Sequence, residues 1–272
     1  MPKIPVEPGV ELEYQITGDG DPVLLIMATT GSLGMWRPIV PALAERHKVI
    51  AYDHRGMGGS TPSEDAVSMR SLADDAAALL EALDVGPAHV IGWSLGSAVA
   101  QELALNHADK VASLVLYGTW GRCDGFGRSM IAALRFPWVQ GDVATGLAAL
   151  GLAYSPQMLD NPAFGMMLAE SLPLLPQTEA QVRMTVAQWD ADLVHDTLDR
   201  LGDIMAPTTV IVGDQDLLTP PRQSLAVAER IPGAEFHLVE GVGSSHSMHL
   251  ELTEHWLDLV LAHLERHALT TA

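Results

Sequence analysis

Gly92-Trp93-Ser94-Leu95-Gly96 is the stretch of sequence that decides the fold. It ends an apolar run at residues 89–93 that predicts a buried strand, and it leads into a helix that we expect at residues 95–107. A chain that turns from strand to helix this abruptly needs glycine where two backbones meet, and it holds the intervening serine in a strained conformation. The pattern is typical of a nucleophile elbow, with Ser94 as the nucleophile.

Around this motif, short apolar runs alternate with segments of helical period. The runs are rich in Val, Ile and Leu, which is typical of strands buried on both faces in a mostly parallel sheet. Helices are predicted at residues 71–83, with Ser71 and Asp74 as an expected capping box, and at 253–264. The pattern predicts an α/β fold in which helices cover the sheet, with strands at residues 23–27, 49–53, 89–93, 111–117, 208–213 and 235–239.

The alternation of strands and helices breaks between residues 119 and 202. Helical fragments rich in Met, Leu and Ala are interrupted there by glycines and prolines, and no run predicts a strand. We interpret this segment as an inserted helical cap, which gives a first core part at 1–118, the cap at 119–202 and a second core part at 203–272. Most large apolar residues of a cap form its own core, but some must face the main domain, and our candidates for an apolar substrate pocket are Trp93, Trp120, Met130, Phe136, Trp138 and Trp189.

Composition excludes several classes of protein. Among 272 residues, 34 are acidic and 15 basic, and the net charge of −19 disfavours nucleic acid as a partner. The single cysteine, Cys123, cannot form an internal disulfide, no signal-peptide pattern is present, and no apolar run is long enough to span a bilayer. We therefore expect a cytoplasmic protein with a small-molecule substrate and no membrane partner. The sequence leaves its oligomeric state open, and a homo-oligomer is one of the alternatives.

A serine hydroxyl is a weak nucleophile until a base accepts its proton, so an active Ser94 requires a histidine and a carboxylate further along the chain. The strand predicted at 208–213 ends in a loop that can present a carboxylate at the carboxyl edge of the sheet. Asp216 is the first candidate in this loop and Asp214 is the alternative. One of the two is expected to be a turn-forming or helix-capping aspartate instead.

The candidate base lies in the loop that follows the last predicted strand. His246 is placed there, and His249 is its rival three residues further on. A histidine in a surface loop can also be simply solvated. The two histidines lack the further ligand cluster that a metal site needs, so we expect no metal and no cofactor.

Ordered motifs along nearly the whole chain resemble the α/β-hydrolase fold family. They are Asp53-His54-Arg55-Gly56-Met57-Gly58-Gly59-Ser60, the elbow at Ser94, a Gly-x-x-Asp-x-x-x-Pro loop at 213–220, and a histidine followed five residues later by glutamate, His246 and Glu251. The resemblance implies a mostly parallel central sheet flanked by helices, with an inserted helical cap. It favours Asp216 over Asp214 and His246 over His249, and so implies a triad of Ser94, His246 and Asp216.

The resemblance also implies an oxyanion hole made of the backbone N–H groups of Leu95 and Thr29. Two positions depart from the family pattern. Met27-Ala28-Thr29-Thr30-Gly31 stands where members place His-Gly, and Ser245 precedes His246 where glycine is usual. Neither departure removes a reacting group, but Ala28 bears on the conformation of the segment that carries Thr29.

These residues imply acyl transfer, and serine rather than aspartate at the elbow disfavours epoxide hydrolases and haloalkane dehalogenases. The cap and acid loop resemble the small-molecule esterases, enol-lactonases and cofactor-free perhydrolases of the family. We therefore expect a serine hydrolase that cleaves a carboxylic ester, lactone or thioester of a small, partly apolar molecule. The alternatives are non-hydrolytic chemistry on the same fold, such as acyl transfer, perhydrolysis or C–C cleavage, and a ligand-sensing protein that keeps the fold.

Overall fold

The computed structural model describes residues 1–63 and 66–269. Residues 64–65 and 270–272, which the domain boundaries given above include, lie outside the described residues. The strands are Lys3–Glu7 (β1), Val10–Thr17 (β2), Asp21–Ile26 (β3), His47–Tyr52 (β4), Ala88–Trp93 (β5), Val111–Tyr117 (β6), Thr208–Gly213 (β7) and Glu235–Val239 (β8).

The helices lie between and after these strands. The 3-10 helices are Leu33–Trp36, Ala108–Lys110, Leu150–Ala153, Leu172–Leu174 and Leu201–Asp203. The α-helices are Val40–Leu43 (α1), Met69–Ala82 (α2), Leu95–Asn106 (α3), Gly125–Val139 (α4), Val143–Ala149 (α5), Pro156–Leu159 (α6), Phe164–Ser171 (α7), Glu179–Val194 (α8), Pro221–Ala228 (α9), Met248–Glu251 (α10) and Thr253–Arg266 (α11). Within the described ranges, no helix is long and apolar enough to cross a bilayer.

The eight strands form one sheet in the order β1-β2-β4-β3-β5-β6-β7-β8. Strands β3 to β8 pair in parallel, whereas β2 pairs antiparallel with both β1 and β4. The predicted fold class, a mostly parallel sheet flanked by helices, is confirmed. The six predicted strands are all present, and β6, β7 and β8 have the predicted bounds. The hairpin of β1 and β2 at the edge of the sheet was not predicted.

The start of α2 differs from the prediction. The helix begins at Met69, because the side chain of Ser68 accepts a hydrogen bond from the Ser71 backbone and the Ser71 hydroxyl accepts one from the Ser68 backbone. The capping box is therefore Ser68 and Ser71, one turn earlier than the expected pair of Ser71 and Asp74. Asp74 instead accepts hydrogen bonds from Arg70 and His107 at the surface.

Side chains that alternate along the central strands build a core on each face of the sheet. Along β3, Leu24 and Ile26 pack on the face covered by α2, α3 and α9, while Val23 and Leu25 pack on the face covered by α1 and α11. The described segment between β6 and β7 is mostly helical and has a small core of its own, formed by Cys123, Ile131, Leu134, Trp138 and Trp189. We refer to this segment, 119–202, as the cap.

The turn from β5 to α3 brings two backbones into direct contact. A Cβ atom at Gly96 would lie 2.0 Å from the carbonyl oxygen of Ile26 in β3. We expect Gly96→Ala to lower the free energy of unfolding by about 1–3 kcal/mol, because β3 or α3 would have to move. Urea unfolding measures this change. Gly86→Ala is the control, since a Cβ there meets no atom within 4 Å, and equal losses in both variants would contradict the account.

Candidate active site

Ser94 lies at the junction of β5 and α3 with φ 54° and ψ −122°. This is the strained backbone that the motif predicts. The turn is so tight that a Cβ atom at Gly92 would lie 2.3 Å from the carbonyl oxygen of Gly96. The consequence is that Ser94 lies beyond the carboxyl end of β5, where it lines a cavity under the cap.

The loop after β7 presents Asp216 as a buried carboxylate. One of its oxygens, Oδ1, accepts hydrogen bonds from the backbone N–H groups of Leu218 (2.9 Å) and Thr219 (2.8 Å). The other, Oδ2, accepts a hydrogen bond from the Thr219 hydroxyl at 2.8 Å and lies 2.8 Å from Nδ1 of His246. These donors hold the carboxylate in place against the imidazole.

Asp214, the alternative acid, has a different role in the same loop. Its Oδ1 accepts hydrogen bonds from the Ser244 hydroxyl and from the Gly241 N–H, the latter at 3.2 Å. Asp214 therefore fastens the loop that carries His246, whereas Asp216 contacts the imidazole itself.

His246 is 3% exposed and is held on its backbone as well as at its ring. Its carbonyl oxygen accepts hydrogen bonds from the Tyr117 hydroxyl (2.6 Å) and the Trp93 indole (2.9 Å). The ring rests on Gly118, where an added Cβ would lie 3.0 Å from Cε1 of the imidazole. Glycine at 118 also permits the φ of 58° that this position adopts.

His249, the rival base, is enclosed by aromatic rings. It is fully buried, with ring centroids 4.3 Å from Trp93, 5.5 Å from Trp36 and 5.7 Å from Tyr117. Neither of its ring nitrogens has a hydrogen-bond partner among the described residues. Burial lowers the pKa of His249 to about 3. His249 is thus a residue of the core beneath the site.

Glu251, five residues after His246, joins the histidine loop to the cap. It accepts hydrogen bonds from the Ser245 hydroxyl (2.5 Å), from the Ser155 N–H (2.9 Å) and from the Ser155 hydroxyl. Ser155 immediately precedes α6 of the cap. The departure from glycine at 245 therefore provides a hydroxyl that binds Glu251, a contact that sequence reasoning missed.

The segment at 27–31 is held by two side chains of the cap helix α8. Gln188 Oε1 accepts a hydrogen bond from the Thr30 N–H at 2.9 Å, and Asp192 Oδ2 accepts one from the Thr29 hydroxyl at 3.0 Å. Because the Thr30 N–H is occupied, the Thr29 N–H stays the candidate oxyanion donor in this segment. Leu95, the other candidate, is the first residue of α3, where N–H groups have no acceptor within the helix.

Two cavities meet at Ser94. The larger, of about 240 Å³, is lined by Ser94, His246 and the segment at 27–31, and roofed by apolar cap residues between 147 and 175. Its lining contains no Asp, Glu, Lys or Arg side chain of the described chain. The smaller, of about 40 Å³, is lined by Ser94 and by residues of α4, α8 and the acid loop. A site of this shape can take a bond to be cleaved with a large apolar group on one side and a short group on the other.

Comparison with known proteins identifies the family. The chain matches the model of the alpha/beta hydrolase fold over residues 21–251. It belongs to that family. RutD of Azorhizobium caulinodans, named as a carbamate hydrolase, is 34% identical over 238 residues, covering 85% of this chain and 86% of that protein.

Two solved structures extend the likeness of this α/β-hydrolase. The non-heme bromoperoxidase BpoC of Mycobacterium tuberculosis superposes with a TM-score of 0.84 at 29% identity, covering 95% of this chain and 97% of that one. A thermophilic esterase from Thermogutta terrifontis superposes with a TM-score of 0.84 at 25% identity, covering 98% and 99% of the two chains.

Four of the six expected pocket residues line the cavities of this α/β-hydrolase. Trp93 and Trp189 line the larger, and Trp120, Met130 and Trp189 line the smaller. The prediction is wrong for Phe136 and Trp138. Phe136 is 63% exposed on the outer side of α4, and Trp138 is buried in the cap core. The two residues are two positions apart on α4 and therefore lie on nearly opposite sides of the helix. Phe136 faces solvent and Trp138 faces the core of the cap.

The burial of His249 predicts acid sensitivity. Below pH 6.5 the unfolded chain protonates this histidine, whereas the folded chain does so only near pH 3. Stability that is present above pH 6.5 is therefore lost as the pH falls toward 3, by up to about 1.4 kcal/mol per pH unit for this one proton. We expect His249→Phe to make the fall in unfolding free energy shallower between pH 6 and 4, as measured by urea unfolding. Parallel pH profiles for the two proteins would contradict this.

Proposed function

We propose that this protein is a serine hydrolase that cleaves a carboxylic ester, lactone or thioester of a small, partly apolar molecule through an acyl-enzyme on Ser94. The observation that carries the proposal is the 2.8 Å contact between Asp216 and His246, at the wall of the cavity that Ser94 also lines. An ordered acid and base beside a strained serine is the arrangement that nucleophilic acyl transfer requires.

In the proposed mechanism, His246 accepts the proton of Ser94 through Nε2 while the serine oxygen bonds to the carbonyl carbon. The backbone N–H groups of Leu95 and Thr29 stabilise the negative oxygen of the tetrahedral intermediate. Asp216 orients the imidazole through Nδ1 and stabilises its protonated form. The imidazolium returns the proton to the leaving alcohol or thiol, and water then repeats the sequence to release the acid and Ser94.

The substrate class follows from the cavities and from the charge of the protein. The larger cavity is mostly apolar and has no Asp, Glu, Lys or Arg side chain in its described lining, and a net charge of −19 repels anions. A neutral substrate with one sizeable apolar part fits both properties. The same attack on a carbonyl applies to carbamates, on which RutD is named as acting, and to perhydrolysis when peroxide replaces water as the acyl acceptor.

Hydrolysis assays on a panel of neutral substrates test the proposal. The panel contains an aryl ester, a lactone, a thioester and an aryl carbamate. We expect Ser94→Ala to lower kcat/KM for the preferred substrate by at least about 10³-fold, since it removes the nucleophile. Full activity in Ser94→Ala would contradict the proposed chemistry.

The acid loop offers a matched pair of variants. Asp216→Asn is expected to lower kcat by about 10²–10⁴-fold, because the amide no longer stabilises the protonated imidazole. Asp214→Asn, two residues away in the same loop, is expected to stay within about tenfold of the wild type. Initial rates with the aryl ester measure both variants. An equal loss of activity in the two variants would mean that the rate depends on the conformation of the loop and not on the contact between Asp216 and His246.

A further inference from the structure

The residue before His246 is joined to the cap through Glu251. The side chain of Glu251 accepts hydrogen bonds from the Ser245 hydroxyl at 2.5 Å and from the Ser155 N–H at 2.9 Å, and the Ser155 hydroxyl donates to its second oxygen. Both serines are 1% exposed, so water competes little for these hydrogen bonds. A carboxylate only accepts hydrogen bonds, and three donors meet this one. Glu251 thus links Ser155 of the cap to the histidine loop.

The residue after His246 contacts the same part of the cap directly. The Ser247 N–H donates to the carbonyl oxygen of Ala153 at 2.9 Å and to the hydroxyl oxygen of Ser245 at 3.0 Å. Ser247 is 1% exposed, so these hydrogen bonds are also shielded from water. Residues 153–155 therefore bind the chain on both sides of the candidate base, and we call them the docking segment.

The docking segment lies between the larger cavity and two lightly packed helices. Ala153 and Tyr154 line the larger cavity. Helix α6 begins directly after Ser155, and none of the described residues of α6 or α7 is buried. Helices that bury little apolar surface gain little stability from packing. The position of this part of the cap therefore depends on the hydrogen bonds of the docking segment.

The core holds His246 at two other atoms. Tyr117 and Trp93 donate to its carbonyl oxygen, and Asp216 contacts Nδ1. Transfer of the Ser94 proton requires Nε2 within about 2.6–3.2 Å of the serine oxygen, and a displacement of about 1 Å can lower a rate about 10²-fold. The core contacts fix one backbone atom and one ring nitrogen, whereas the backbone on either side of His246 is bound by the docking segment.

We propose that Glu251 is a positioning residue that keeps His246 within reach of Ser94 while the docking segment is bound, and so makes proton transfer depend on the position of the cap. Glu251 lines neither cavity, so it acts through the backbone of the histidine loop. The inference rests on the proposed function, because it concerns the base of the proposed acyl transfer.

Steady-state kinetics of two Glu251 variants test the inference with the preferred substrate of the panel. The kcat is expressed per site that a small fluorophosphonate labels at the end of its reaction, so that unfolded protein is not counted. Glu251→Leu is expected to lower this kcat about 10- to 100-fold and to leave KM within about threefold, because the cavity lining is unchanged. Glu251→Gln keeps an oxygen that accepts from two of the three donors, and its kcat should stay within about threefold of the wild type.

A double-mutant cycle gives a second test that does not depend on the folding of Glu251→Leu. Ser155→Ala and Ser245→Ala are each expected to lower kcat per labelled site about 3- to 10-fold. The double variant should be within about twofold of the slower single variant, because both serines act through Glu251. Losses that multiply in the double variant would mean that the serines act independently, and would overturn the inference.

Gln181→Ala is the matched control, because Gln181 makes another hydrogen bond between the cap and the core, from its Nε2 to the carbonyl oxygen of Gly58 at 2.9 Å. Its kcat per labelled site should stay within about twofold of the wild type. An unchanged kcat per labelled site in Glu251→Leu and in the double serine variant would show that the core contacts alone position His246, against the inference. Failure of the folded wild type to cleave any substrate of the panel would instead overturn the proposed function.

Discussion

The contact of α3 with the sheet is the constraint on which the site depends. Because Gly96 and Gly92 carry no side chains, the first turn of α3 lies against β3 and β5, and Ser94 takes a φ of 54°. That backbone lifts the serine beyond the end of β5. Parallel strands bring their carboxyl ends to one edge, and the loops after β7 and β8 therefore deliver Asp216 and His246 to the same place.

The cap contributes to the site as well as covering it. Gln188 and Asp192, one turn apart on α8, bind the backbone and hydroxyl of the segment in which Met27-Ala28 replaces the usual His-Gly. Ser155 binds Glu251, which in turn binds Ser245 where glycine is usual. Both departures from the family pattern thus occur where the cap contacts the loops of the candidate site. A change in the position of the cap would therefore alter the positions of the candidate oxyanion donor and of the histidine loop.

Local patterns predicted the strands from β3 to β8 and the elbow. Burial of a strand requires a run of apolar residues, and the close backbone contacts of the elbow require glycines, so both features can be read within a few residues of sequence. The alternation of Val10, Leu12, Tyr14 and Ile16 could have revealed β2, yet the hairpin was missed. Gln188 lies 158 residues from its partner Thr30, and no local pattern connects them, although two polar residues at i and i+4 in a helix were a usable signal. The directions of Phe136 and Trp138 depend on how α4 packs, which periodicity alone did not resolve.

The activation of Ser94 is the central claim, and intact-protein mass after exposure to a small fluorophosphonate tests it most directly. The account predicts a single adduct on the wild type that is absent from Ser94→Ala and from His246→Ala, because the serine reacts only when His246 accepts its proton. A continued adduct on Ser94→Ala, or no adduct on the folded wild type, would contradict it.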